Sequence, residues 1–229
     1  MTIQAEIIEK LYQRQDAIYR DFHSGLCPGT VNIIGVRIPE QRKLARELIR
    51  SNDWRQFLAE SENEFYEETM IEGLVIAGAK MSLDERFEWL ARFVPKIDNW
   101  AVCDSVCASF KFNSEELPKV WQFIERFCKS GREFEQRFRL IMMLDYFLTP
   151  KYIEEVLRAV GAVKSEAYYV RMAQAWLVAE AFAQFREPTL EFLQKRQLSD
   201  WVQRKAIQKI RESYRVSASD KELVKGLKP

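Results

Sequence analysis

Aromatic residues recur at Phe65, Trp100, Phe134, Tyr168 and Trp201, at separations of 35, 34, 34 and 33 residues. Each stands near the start of a segment with helical apolar spacing. Each such segment is followed by a break and a second helical segment, at 83–94, 115–129, 151–160 and 189–195. Ser82, Ser114, Pro150 and Pro188 lie at or just before those second starts, where N-caps and first-turn prolines belong. Two helices per repeat of about 34 residues predict an all-α helical solenoid. One helix pair cannot bury its apolar stripe alone, so successive pairs must stack into a continuous core.

The rest of the chain is helical in pattern too. Ile3, Ile7, Ile8 and Leu11 recur at spacings of three and four, as do Phe87, Leu90, Ala91 and Val94. The apolar piece at 31–38, between Gly29 and Pro39, is ambiguous between strand and loop. Pro39 fits the first turn of a helix running to about residue 51. The expectation is one domain over 1–229, with an irregular N-terminal cap at 1–50 and repeats over 51–229. Only 8 glycines and 7 prolines fit long helices with short connections.

Charge and composition narrow the chemistry. Lys plus Arg number 35 and Asp plus Glu 34, a net charge of +1, so no basic field covers the whole molecule. The single histidine, His23, excludes histidine triads and zinc sites that need several imidazoles. Four cysteines without a CxxC pair, behind an N-terminus with no signal-like run, read as free cytosolic thiols. No Walker loop, no GxGxxG and no membrane-length apolar run are present. No metal or organic cofactor is expected.

A solenoid places equal repeat phases in a row. With Arg137 as phase zero, the next repeats offer Arg171 and Arg204, and the preceding ones Cys103 and Glu68. Lys205 and Lys209 extend the basic row. Residues 200–229 hold 8 basic and 4 acidic side chains, whereas 53–72 hold 7 acidic and 1 basic. Charges therefore sort onto different faces, an acidic convex or N-terminal region and a basic row. The row is either a phosphate-backbone contact or a solvated face paired with Glu135, Glu166 or Asp200. Trp100, Asp104 and Trp176 stand at phases −3, +1 and +5, steps of four along one helical stripe. With Arg137 they form a concave patch, or else the indoles are inter-repeat core and Asp104 pairs locally.

Four segments carry a resemblance. They are GVRIPEQR at 35–42, IDNWAVCDS at 97–105, EQR at 135–137 and YVRMAQAW at 169–176. In this order, and on these repeat phases, they resemble the bacterial DNA alkylation repair glycosylases built of HEAT-like repeats, over about 34–214. The resemblance implies a right-handed superhelical solenoid holding duplex DNA in its concave groove. It implies excision of cationic N3- and N7-alkylated purines from DNA by a cofactor-free monomer in the bacterial cytoplasm, at the nucleoid when bound to DNA. Asp104 matches the catalytic carboxylate. Trp100 and Trp176 match the tryptophans at the lesion's deoxyribose, and Arg137 an arginine at the DNA backbone. Arg171, Arg204, Lys205 and Lys209 remain the candidates for further DNA contact.

The chemistry is self-consistent. Glycoside cleavage normally needs an acid for the leaving group, but a cationic purine departs neutral. One carboxylate then suffices to stabilise the oxocarbenium-like sugar and orient water. Two other functions fit the same groove: a non-catalytic module for damaged or structured DNA, and a protein-interaction scaffold.

Overall fold

The structure, a computed structural model, describes residues 2–229. Among them every regular element is helical and no strand occurs. The helices are α1 (Ile3–Tyr12), α2 (Ala17–Leu26), α3 (Ile38–Ser51), α4 (Trp54–Glu60), α5 (Tyr66–Gly78), α6 (Leu83–Phe93) and α7 (Trp100–Cys107). They continue as α8 (Leu117–Glu125), α9 (Glu133–Tyr146), α10 (Ile153–Ala162), α11 (Tyr168–Gln184), α12 (Arg186–Gln194), α13 (Asp200–Glu212) and α14 (Ala218–Lys225). Two compact units result, one ending at residue 123 and one starting at 124.

In the first unit α3, α5 and α7 stack side by side, with α4 and α6 closing the pairs. Every residue of α5 from Tyr66 to Ala77 is buried. Helices buried all round are normally apolar all round, yet α5 holds three buried carboxylates. Those of Glu67 accept the backbone N–H groups of Ile34, Gly35 and Val36 at 3.0, 2.8 and 3.1 Å. Glu68 accepts from the Phe65 N–H and the Gln4 side chain, both at 3.0 Å. Glu72 binds the Lys96 ammonium at 2.9 Å, but burial outweighs that partner and pushes its pKa up. The acidic stretch at 53–72 is therefore not simply a solvated face. Three of its carboxylates are internal acceptors for groups that no helix satisfies.

The ambiguous piece at 31–38 is one such source of donors. It is extended without being a strand, and α3 begins at Ile38. Gly35 sits at φ +98°, and a Cβ there would lie 2.5 Å from Arg20 Cβ and 2.7 Å from the Asp16 carbonyl. Only glycine allows both the conformation and the approach. Gly73 plays the packing counterpart within α5, where a Cβ would stand 2.3 Å from Val106 Cγ2 and 2.6 Å from Phe93 Cζ.

In the second unit α11 is central, packed on α9 and α13 along the row and on α10 and α12 outside it. Phe138, Leu140, Val156, Leu177, Val178 and Ile207 are fully buried between them. Two side chains of α9 hold the first turn of α11. Glu133 accepts the Tyr169 N–H at 2.7 Å, and the Arg137 guanidinium donates to the Tyr169 carbonyl at 2.8 Å. Stacked helix pairs in each unit make this an all-α helical-repeat solenoid.

Among the described residues, side-chain caps start six of the helices, α1, α2, α6, α7, α13 and α14. Ser82 accepts the Glu85 N–H at 3.1 Å, as its position in sequence predicts. Ser114 does not cap α8. Asn113 caps the turn that leads into it, its Oδ1 accepting from Glu115 and Glu116 at 3.0 Å while the Glu116 carboxylate accepts the Asn113 N–H. The reciprocal box outcompetes a lone serine. Pro188 falls in the first turn of α12, whereas α10 begins at Ile153, beyond Pro150.

The five repeating aromatics share one structural position. Phe65 is the N-cap of α5, Trp100 and Tyr168 begin α7 and α11, and Phe134 and Trp201 are second in α9 and α13. None is buried, and Tyr168 is 54 % exposed. They mark the N-terminal rim of each inner helix rather than its core. Neighbouring rims touch through rings, Phe134 on Tyr169 at 5.4 Å and Tyr168 on Trp201 at 6.2 Å.

Candidate active site

In the first unit the candidate residues lie on α7. Asn99 caps it by accepting the Val102 N–H at 2.9 Å. Ala101, Val102, Cys103, Val106 and Cys107 are buried, which leaves Trp100, Asp104, Ser105 and Ala108 on the open face. Trp100 and Asp104, one turn apart, are both half-buried. The Trp100 indole N–H donates to the Leu26 carbonyl at 2.9 Å, so the end of α2 fixes the ring. Next to Leu26, buried Cys27 has its Sγ 3.8 Å from His23 Nε2. The imidazole stacks on Tyr19 at 5.6 Å and tilts against Tyr66 at 4.7 Å. Burial lowers the His23 pKa and raises that of the Cys27 thiol, so both stay neutral. The only histidine of the chain, 5 % exposed, is thus part of the packing around the end of α2 that holds Trp100.

In the second unit Trp176 is half-buried on α11. With Glu180, Lys209, Tyr214 and Arg215 it lines an open cavity of about 350 Å³. Arg215 is ion-paired with Glu180, and Tyr214 is fully exposed. Around the Trp201 ring gather two members of the basic row, Arg171 at 4.7 Å and Lys205 at 5.9 Å. Arg171 also pairs with Glu166 at 2.8 Å. Arg204 is exposed, and Lys209 is half-buried at the Trp176 cavity.

The phase-zero row is not uniformly on the surface. Arg137 is only 5 % exposed, and Glu68 and Cys103 are buried as well. Arg137 is held inside because it meets the first turn of α11 at Tyr169, and Glu68 because it accepts from the Phe65 N–H and Gln4. Arg204 faces solvent and Arg171 is half-buried against Glu166, which leaves both the phosphate-contact and the solvated-face alternatives open for them. Trp100 and Asp104 come together in the first unit, and Arg137 and Trp176 belong to the second. Among the described residues no group of three His, Cys, Asp or Glu side chains is placed to hold a metal. All four cysteines are free thiols.

Sequence reasoning missed Tyr214 and Arg215 at the Trp176 cavity. It also missed Arg42, Arg46 and Arg50, which line a cavity in the first unit. Their spacing of four on a helical segment was the available signal.

The fold and these residues define a class: a helical-repeat protein presenting tryptophans, a carboxylate and exposed cations on its inner helices. Residues 3–210 match the DNA alkylation repair enzyme family, and the chain belongs to that family. It is a DNA-repair protein, and DNA is its partner. The match begins at residue 3, so α1 and α2 lie inside the family region, which the resemblance in sequence had placed only from about residue 34. No curated protein gave a match. No helix among the described residues is long and apolar enough to cross a membrane.

Proposed function

We propose that the protein is a monofunctional DNA glycosylase. It hydrolyses the N-glycosidic bond of cationic N3- and N7-alkylated purines in duplex DNA, as a monomer whose helical units act as one domain. The observation that carries this reading is the presentation of Asp104 one turn after an indole whose orientation is fixed by Leu26.

The chemistry follows from the substrate. Alkylation has already made the base a good leaving group, so no general acid is required. As the bond to the sugar stretches, positive charge grows on the deoxyribose. The Asp104 carboxylate stabilises that charge and orients the attacking water. The indole faces of Trp100 and Trp176 add cation–π attraction, about 1–2 kcal/mol each when desolvated. Arg137 contacts the DNA backbone in this reading. Arg171, Arg204, Lys205 and Lys209 hold phosphates further along.

The test is release of free 7-methylguanine from a methylated duplex at protein concentrations that saturate binding. Release faster than the spontaneous rate is expected. Binding without release would instead favour the non-catalytic DNA module.

A further inference from the structure

We propose that Arg42, Arg46 and Arg50 on α3 form a phosphodiester-binding subsite. It holds the DNA strand that leaves the Asp104 face of α7. The inference rests on the DNA reading above and extends it to residues outside the basic row of the second unit.

Three observations converge. First, the arginines are spaced by four, so they line one face of α3 at a rise of about 6 Å per step. They border a cavity of about 310 Å³ with Ala45, Ile49, Leu74, Gly78 and Ser109, and no carboxylate is in the lining. Like charges on one helix face repel, and an anion from outside relieves that repulsion. Second, Arg46 and Arg50 are exposed and make no ion pair or hydrogen bond with any described residue. The nearest acid in sequence, Glu47, stands three residues before Arg50 but makes no ion pair with it.

Third, the subsite is continuous with the α7 face. Arg42 Nη1 donates to Ser109 Oγ at 2.9 Å, and Ser109 Oγ donates to the Ser105 carbonyl at 2.6 Å. Ser105 directly follows Asp104 on the open side of α7. The floor of Ala45, Ile49 and Leu74 is apolar and suits a deoxyribose between phosphates. Gly78 keeps that floor open, since a Cβ there would meet Ile49 Cδ1 at 3.1 Å. A guanidinium pairs with phosphate oxygens through parallel N–H bonds. Cations above an apolar floor therefore fit a sugar-phosphate strand better than a bare anion.

The experiment uses the full chain and a fluorescent undamaged duplex, with anisotropy titrations from 50 to 200 mM salt. Arg46→Ala/Arg50→Ala is compared with Lys43→Ala, an exposed cation on the same helix. The double variant should bind about tenfold more weakly, with the log–log salt slope reduced by about 2, close to 0.9 per phosphate contact. Lys43→Ala should keep the wild-type slope. If the double alanine variant fails to fold, Arg46→Gln/Arg50→Gln carries the same test. Equal slopes for wild type and double variant overturn the proposal. So does competition by micromolar dAMP or inorganic phosphate, which would make the subsite a small-anion pocket. Base release is scored separately, so loss of the glycosylase reading alone leaves this binding result intact.

Discussion

The indole N–H of Trp100 donates to the backbone carbonyl of Leu26 at 2.9 Å, across 74 residues of sequence. The bond links α2 to the helix that carries Asp104. Around the end of α2, His23, Cys27, Tyr19 and Tyr66 pack as one neutral cluster. The N-terminal helices thus position the candidate site and do more than cap the solenoid.

Trp100→Phe keeps the aromatic ring and removes that donor. The net value of one such bond is about 0.5–1.5 kcal/mol. A fall in Tm of roughly 2–4 °C is expected, with faster amide exchange in α2. Unchanged exchange in α2 would show that the bond does not hold the helix.

Asp104→Asn leaves the shape of α7 intact and removes the charge. Single-turnover base release from 7-methylguanine duplex should fall by ~10²–10³, the scale of one key electrostatic group. Binding to undamaged duplex should change little. A variant as fast as wild type would remove Asp104 from the chemistry.

His23 sets a pH dependence. Its pKa in the fold is lowered by burial, so the unfolded chain binds the extra proton first. Stability from neutral His23 is present above its unfolded pKa of about 6.5 and is lost as pH falls below that value. Denaturant midpoints at pH 5 and 7.5 should differ in wild type and converge in His23→Leu. The imidazole resonance should titrate below pH 6.5.

Gly73→Ala tests the close approach of α5 to α6 and α7. The new methyl would lie 2.3 Å from Val106 Cγ2 and 2.6 Å from Phe93 Cζ, so packed side chains must move. A loss of about 1–3 kcal/mol is expected from urea denaturation.

Glu67→Gln removes the charge from a side chain that accepts three backbone N–H groups. The amide has one acceptor oxygen, so at least one buried N–H loses its partner. About 2–3 kcal/mol of stability should be lost, with earlier proteolysis in 30–37. Protease resistance equal to wild type would mean the loop is held by other contacts.

The aromatic period at Phe65, Trp100, Phe134, Tyr168 and Trp201 determined the helical-repeat class on its own. Period and apolar spacing are local properties of a helix, and a helix that cannot bury its stripe must stack. The open placement of Trp100 and Asp104 was likewise legible as one face of one helix, and the family resemblance in the α7 segment gave that face its chemistry. Burial was not legible. Glu67, Glu68 and Glu72 read as part of an acidic convex or N-terminal region, and Arg137 as a member of a surface row. Tertiary structure placed them inside, because loop N–H groups at 34–36 and the Tyr169 carbonyl needed partners from distant sequence. A buried charge persists only where such groups meet it. That meeting depends on how helices stack, so only the folded chain decides which charges serve packing and which remain for DNA.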